Sequence, residues 1–293
     1  MIQEKSWGSR LFDFVNYFLL IGFGLMCLLP MIHIIAVSLS NRAASMGGFV
    51  TLWPIGFTFR NYQEILAAGP VYKAFWVSVQ RTVFGTLINM TLTVLAAYPL
   101  SKSAQEFKGR NWFMWILLIA LLFNGGLIPW FLVIRNLGLI NTLWALILPG
   151  ALPIWNVILL MNFFREVPRE LEEAAIIDGA SYWNTLWYIY LPLSVPALAT
   201  LTLFAAVTHW NSWFDGMILI TKNSQYPIMT FLRTVVIDLN LQILSVNIED
   251  IYNLSDRSIR AANIVVATLP ILIVYPFLQR YFIHGIRLGA VKG

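Results

Sequence analysis

The chain has 293 residues, of which 59% are hydrophobic and only 11% charged, against about 25% charged positions in ordinary soluble domains. This excludes a water-soluble fold and points to an integral membrane protein. Its net charge of +5 is scattered through polar loops with no basic run or stripe, which argues against a nucleic-acid partner.

Taken in order, the apolar stretches suit helices. A membrane-crossing helix needs about 20 apolar residues, and six stretches supply them, at about 12–37, 75–98, 112–134, 142–164, 193–220 and 261–283. Open strand edges do not survive in lipid, so the expected fold is all-α: a polytopic helical bundle in a single domain, 1–293. Lys5 and Arg10 precede the first stretch, which is too long for a secretory signal core and is read as a retained span. Cys27, within it, is the one cysteine, so neither a disulfide framework nor a cysteine-based metal site is available. Residues 38–74 are rich in glycine and proline, with a short interfacial helix expected at Asn61 to Ala68. The polar loop at 99–111 carries Lys102, Lys108 and Arg110. Asn124, Gly125 and Gly126 interrupt the third span, and Pro149, Gly150 and Pro153 precede Trp155 and Asn156 in the fourth. Residues 221–260 form a long polar segment with Asp238, Glu249, Asp250 and Asp256 around the short apolar run Ile243 to Val246. Asn253-Leu-Ser255 matches a glycosylation triplet by pattern only.

One polar island stands between the fourth and fifth spans, at 165–192. Pro168 suits a helix's first turn, where a missing N–H costs nothing, and Glu170, Glu172 and Glu173 complement the positive end of its dipole. Gly179 is a natural C-terminal stop, and Ser181 can cap a second short helix running to Pro192. The spacing Glu173-Ala174-Ala175, Gly179, Ile189, Leu191-Pro192 resembles the EAA loop of ATP-binding-cassette importer permeases. Phe123 to Trp130, Asn136 to Pro149 and His209-Trp-Asn-Ser-Trp213 resemble the carbohydrate-uptake permeases, in the branch that carries complex oligosaccharides and includes alginate importers.

That resemblance implies a cytoplasmic coupling helix pair docked on an ATPase subunit through Glu173, Ala174, Ala175, Asp178, Gly179, Ile189, Leu191 and Pro192. It also implies both termini in the cytoplasm, a multi-pass location in a bacterial inner membrane, and a homologous permease partner or a second copy. Two ATPase subunits holding ATP and magnesium, and an external substrate-binding protein, complete the assembly. The chain itself shows no P-loop, dinucleotide fingerprint or catalytic constellation, so it is read as a transport subunit rather than an enzyme.

Polar groups inside spans are functional candidates, because facing lipid is costly. Arg81 and Asp215 are close enough to the outer ends of their spans to pair with each other, while Arg81 has snorkelling as its rival role. Sugars need aromatic faces and amides, and Asn124, Trp130, Trp155, Asn156, Trp210, Asn211 and Trp213 supply both kinds. Tryptophan also belts the membrane interface, and intramembrane asparagine also bonds neighbouring helices. His33 and His209 have no third partner at metal spacing. The rival functions are a permease for a peptide, polyamine or anion, and an ion-coupled secondary transporter, which predicts ionisable residues near mid-membrane and repeated spans.

Overall fold

The structure, a computed structural model, describes residues 7–67, 69–237 and 257–290, with side chains described up to residue 274 and at 276 in the last stretch. The predicted features at Lys5, Asp238, Ile243 to Val246, Glu249, Asp250, Asn253 to Ser255 and Asp256 lie outside the described residues. The described residues contain no strand. In chain order the helices are α1 (Trp7–Ser38), α2 (Arg42–Met46), α3 (Arg60–Ala67), α4 (Pro70–Ser101), α5 (Arg110–Leu122), α6 (Leu127–Asn136) and α7 (Ile154–Arg165). There follow α8 (Arg169–Ile177), α9 (Tyr182–Thr185), α10 (Leu191–Leu193), α11 (Val195–Asn211), α12 (Phe214–Leu219), α13 (Ile228–Ile237) and α14 (Arg257–Ala290).

The chain divides into two compact units. The first comprises Met1–Val71 and Leu232–Thr268. Here α1 exposes Phe12, Phe14, Phe18, Leu20 and Phe23 around its circumference, a surface suited to lipid and not to water. Only its C-terminal end is packed, with Ala36 and Val37 against Ala44, Val50 and Ala261. Asn61 of α3 donates to the carbonyls of Ser38 and Ser40 at 2.8 and 3.0 Å, so the short helix expected there is tied to the end of α1.

The second unit comprises Tyr72–Phe231 and Leu269–Gly293. Its larger core joins Ala97, Tyr98 and Leu100 of α4 to Val157, Leu160 and Phe164 of α7, Leu186 and Tyr190 after α9, and Leu201 of α11. A smaller one gathers Ile134, Ala145, Leu146, Leu219 and Ile220.

Three helices, α1, α4 and Arg257–Val274 within α14, are long and apolar enough to cross a membrane alone. Three further pairs qualify only together, giving up to six spans, and the first two break where the sequence places its breakers, at Asn124 to Gly126 and at Pro149 to Pro153. Arg110–Leu122 and Leu127–Asn136 meet at 116°, because Gly126 takes φ +84° and the Asn124 side chain accepts from its N–H at 2.9 Å. Leu143–Gly150, made of 3₁₀ turns, meets Ile154–Arg165 at 48°, where Pro149 and Pro153 withhold two N–H donors. At the start of the fifth expected span, 193–220, Val195–Asn211 meets Tyr182–Leu193 of the polar island at 83°, and the span itself breaks at Ser212, before α12.

Candidate functional site

The 165–192 segment forms the expected helix, glycine turn and second helix. Pro168 stands one residue before α8 as its N-cap, and Glu170 and Glu172 occupy its first turn. Gly179 has φ +82°. Ala180 N–H donates to Ala175 O at 2.8 Å, and Gly179 N–H to Ile176 O at 3.0 Å. This paired closure needs a left-handed residue at the turn, the conformation glycine adopts at least cost. Ser181 caps α9, accepting from Asn184 N–H at 3.3 Å. The second helix departs from α geometry, for Leu186–Tyr190 is a π turn in which Leu191 N–H reaches Leu186 O. Such widening accommodates Pro192, whose ring would otherwise crowd the carbonyl four residues earlier. Glu173, Ala174, Asp178 and Gly179 are exposed, Ala175 is half-buried, and the neighbouring Ile177, Trp187 and Tyr188 expose large apolar surfaces.

Behind the exposed face lies a cluster that sequence reading did not assemble. Lys102, one residue beyond α4, forms a buried ion pair with Glu172 of α8. Its ammonium also donates to Tyr190 Oη at 2.9 Å, and Tyr190 Oη–H donates to Glu172 Oε2 at 2.6 Å. The ammonium lies 4.4 and 4.2 Å from the ring centres of Tyr98 and Tyr190, a cation–π geometry that offsets part of its lost hydration. Burial pushes the Lys102 ammonium below its ordinary pKa against the opposing pull of Glu172. Beside this cluster Glu106 is lowered chiefly by the Ser103 backbone N–H, and Arg165 by burial and then by the Arg110 charge.

The second feature is a cavity of about 330 Å³ bounded by α4, α6, the 3₁₀ turns, α7, α11 and α12. Arg81 and Asp215 line it as a buried, two-pronged ion pair. Arg81 Nη1 also donates to Ser212 O at 3.1 Å, and Asp215 Oδ1 accepts from Ser212 Oγ and Gly216 N–H, each at 2.9 Å. The pair is therefore neutral rather than snorkelling, with both Arg81 Nη groups engaged and Nε buried without a hydrogen-bond partner. Asn89 donates to the carbonyls of Gly150 and Ala151 at 2.7 and 2.8 Å. With both N–H groups committed, its oxygen must accept from His209 Nε2 at 2.5 Å. Asn156 also lines the cavity and is 94% buried, its amide without a hydrogen-bond partner among the described residues. One free amide, with the Trp130 ring on another wall, suits a solute bearing hydroxyls and C–H faces.

Of the residues singled out from sequence, Arg81, Trp130, Asn156 and Asp215 thus come together. Others do not join them. Asn124 is exposed and bonded within its own turn. Trp155 is 60% exposed, and Asn211 is exposed at the end of α11. Trp210 is buried edge-on to Phe75 at 5.6 Å, and Trp213 packs on Phe214 at 5.6 Å. Thr208, His209 and Ser212 also line the cavity, but the missed amide was Asn89. Its signal, an amide inside the apolar run Leu87 to Val94, is the one that had drawn attention to Asn156.

Residues 90–288 match the binding-protein-dependent transport system inner membrane components, and the chain belongs to that family. It is therefore an inner-membrane transport component, not an enzyme. It is 40% identical to the polygalacturonan/rhamnogalacturonan transport system permease protein YtcP of Bacillus subtilis, over 97% of this chain and 99% of that protein. It is 41% identical to protein LplC of the same organism, over 99% of this chain and 98% of that one. It is also similar to a chain in the crystal structure of a bacterial ABC transporter involved in the import of the acidic polysaccharide alginate. That match has a TM-score of 0.86 and 35% identity over 94% of this chain and 98% of the other.

Proposed function

We propose that this chain is one permease subunit of an ATP-driven importer of oligosaccharides, with fragments of acidic polysaccharides as its cargo. The observation that carries the carbohydrate reading is similarity over nearly the whole chain to a polygalacturonan/rhamnogalacturonan permease and to a chain of an importer of the acidic polysaccharide alginate. The cavity supports it, since a neutral, hydrogen-bonded lining with a free amide and an indole matches sugar chemistry better than it matches an ion pathway.

In this reading Arg81 and Asp215 shape the cargo path by bracing α4 against α12, while Asn156 and Trp130 meet the sugar. The exposed residues of 165–192 dock on the ATPase, with Glu173, Ala174 and Ala175 on the first helix and Gly179 setting the angle to the second. Ile189, Leu191 and Pro192 hold that second helix. Both termini and the 99–111 loop are cytoplasmic, and a homologous permease or second copy completes the path. Two ATPase subunits supply ATP and magnesium, and an external binding protein delivers the cargo.

The test is uptake by proteoliposomes holding the complete transporter and its binding protein. Labelled oligogalacturonate or alginate oligosaccharide should enter saturably and only with ATP, while a dipeptide or spermidine should not. Uptake of peptide or polyamine with none of any saccharide would overturn the carbohydrate reading.

A further inference from the structure

We propose that Lys102, Glu172 and Tyr190 are positioning residues that make α4 the link between the 165–192 loop and the cavity. The inference rests on the coupling and cavity roles proposed above, and concerns how one reaches the other.

Its basis is the placement of polar bonds along a single helix. At the loop end of α4 stands the Lys102–Glu172–Tyr190 cluster. Farther along the same helix, Asn89 bonds the broken fourth segment and His209, and Arg81 pairs with Asp215. With a rise of about 1.5 Å per residue, Lys102 lies about 20 Å from Asn89 and about 30 Å from Arg81. One helix therefore holds the loop at one end and three sides of the cavity towards the other.

The chemistry of the cluster fits a link better than a simple clamp. A buried ion pair is a poor way to stabilise a fold, because apolar side chains of similar volume hold as well without the desolvation penalty. What it adds is direction. The three polar groups close a ring of hydrogen bonds, and the Tyr98, Phe164 and Tyr190 rings meet edge to face around it at 5.1 to 6.3 Å. Apolar surfaces can slide past one another by a fraction of a turn. Here any slide of α8 along α4 strips a buried carboxylate from its cation, so α4 must follow the loop. On this account Glu172 faces inward to α4 while its neighbour Glu173 faces outward, and adjacent acids on one helix serve two tasks.

The experiment uses the assembled transporter in vesicles, with a Cys27→Ser background and Ala205→Cys as a reporter, since Ala205 lines the cavity and is 4% exposed. With the cluster intact, ATP should change the rate at which a water-soluble maleimide modifies the reporter. The paired apolar substitution Lys102→Met with Glu172→Met should retain membrane insertion, ATPase pull-down and ATP hydrolysis, yet lose that change and lower uptake per ATP about tenfold, the scale of a typical coupling energy. Tyr190→Phe, which keeps the ring and drops one bond, should give a smaller loss, and Lys102→Arg should preserve most of the response. These milder variants keep the test informative if the double variant fails to fold. Normal uptake per ATP and an intact labelling response in both the double variant and Tyr190→Phe would overturn the link. Loss of ATPase pull-down in the double variant would overturn it too, by showing that the cluster shapes the docking surface instead. If the reporter ignores ATP even with the cluster intact, the cavity reading falls and takes the link with it.

Discussion

Substitution at Gly179 separates a folding effect from a docking effect. The residue has φ +82°, and a Cβ built there meets no atom within 4 Å, so the folded subunit charges a side chain only for its backbone conformation. For Gly179→Ala that is about 1 kcal/mol, roughly a fivefold shift in a local equilibrium. Asparagine and aspartate adopt left-handed backbone more readily than alanine, so Gly179→Asn should be at least as well folded. Gly179→Asp adds a charge beside Asp178, at the negative end of α8, for about a further 0.3 to 1 kcal/mol. Across a chain of this size each should move the unfolding midpoint by no more than about 2–4 °C. Docking predicts a different order. Gly179→Ala and Gly179→Asn should keep most substrate-stimulated ATP hydrolysis and uptake, whereas Gly179→Asp should lower both together, about tenfold, by placing a new charge in a matched interface. The assay is ATP hydrolysis and uptake in vesicles with all subunits, beside thermal unfolding of the purified complex. Equal, normal activity in the Asn and Asp variants would refute the docking role and leave the turn as solvated surface.

Three further outcomes follow from the geometry. Arg81→Met should destabilise the subunit by about 3–5 kcal/mol because it strands a partly buried carboxylate, while Arg81→Met with Asp215→Leu should recover most of that loss; calorimetry in detergent compares them, and equal losses would contradict the pairing. A Cβ on Gly85 would lie 2.5 Å from His209 Nε2, so Gly85→Ala should displace the imidazole from Asn89 and cost about 1–3 kcal/mol, read as a lower unfolding midpoint that an undisturbed site would not show. A reporter inserted in 99–111 or fused after residue 293 should register cytoplasm and one in 221–260 the outside; a cytoplasmic 221–260 would remove the basis for a cytoplasmic 165–192 loop.

The loop was legible because its signals are local. Pro168, Gly179 and Ser181 each act on the backbone within a few residues, so their order alone specifies helix, turn and helix. Arg81 and Asp215 were legible for another reason, since a charge at depth must find a counter-charge and candidates were few. The Lys102–Glu172 pair carried no such signal. Both residues sit in polar segments where exposed charge is the ordinary outcome, and their burial depends on Tyr98, Phe164 and Tyr190 converging from separate helices. The break at Ser212 was also unreadable, because serine does not oblige a helix to end. Helical phase explains why adjacent candidates parted. Successive residues point about 100° apart, so when α7 turns Asn156 into the cavity it turns Trp155 away.

The uneven lengths of these helices bear on how the chain enters its membrane. Helices α5, α6, α7 and α11 have 13, 10, 12 and 17 residues, or about 20, 15, 18 and 26 Å, each short of a hydrocarbon core about 30 Å thick. None can partition alone without leaving carbonyls bare in lipid at its broken end. The long helices α1 and α4 face no such obstacle and can settle early, one by one, as they leave the ribosome, while α14 follows last. The middle of the chain must then be admitted against α4, whose Asn89 amide covers the bare carbonyls of Gly150 and Ala151. Biogenesis thus has an order written into it, and loss of Asn89 should register first as subunits held at the insertion machinery and degraded, before any transporter exists to be assayed.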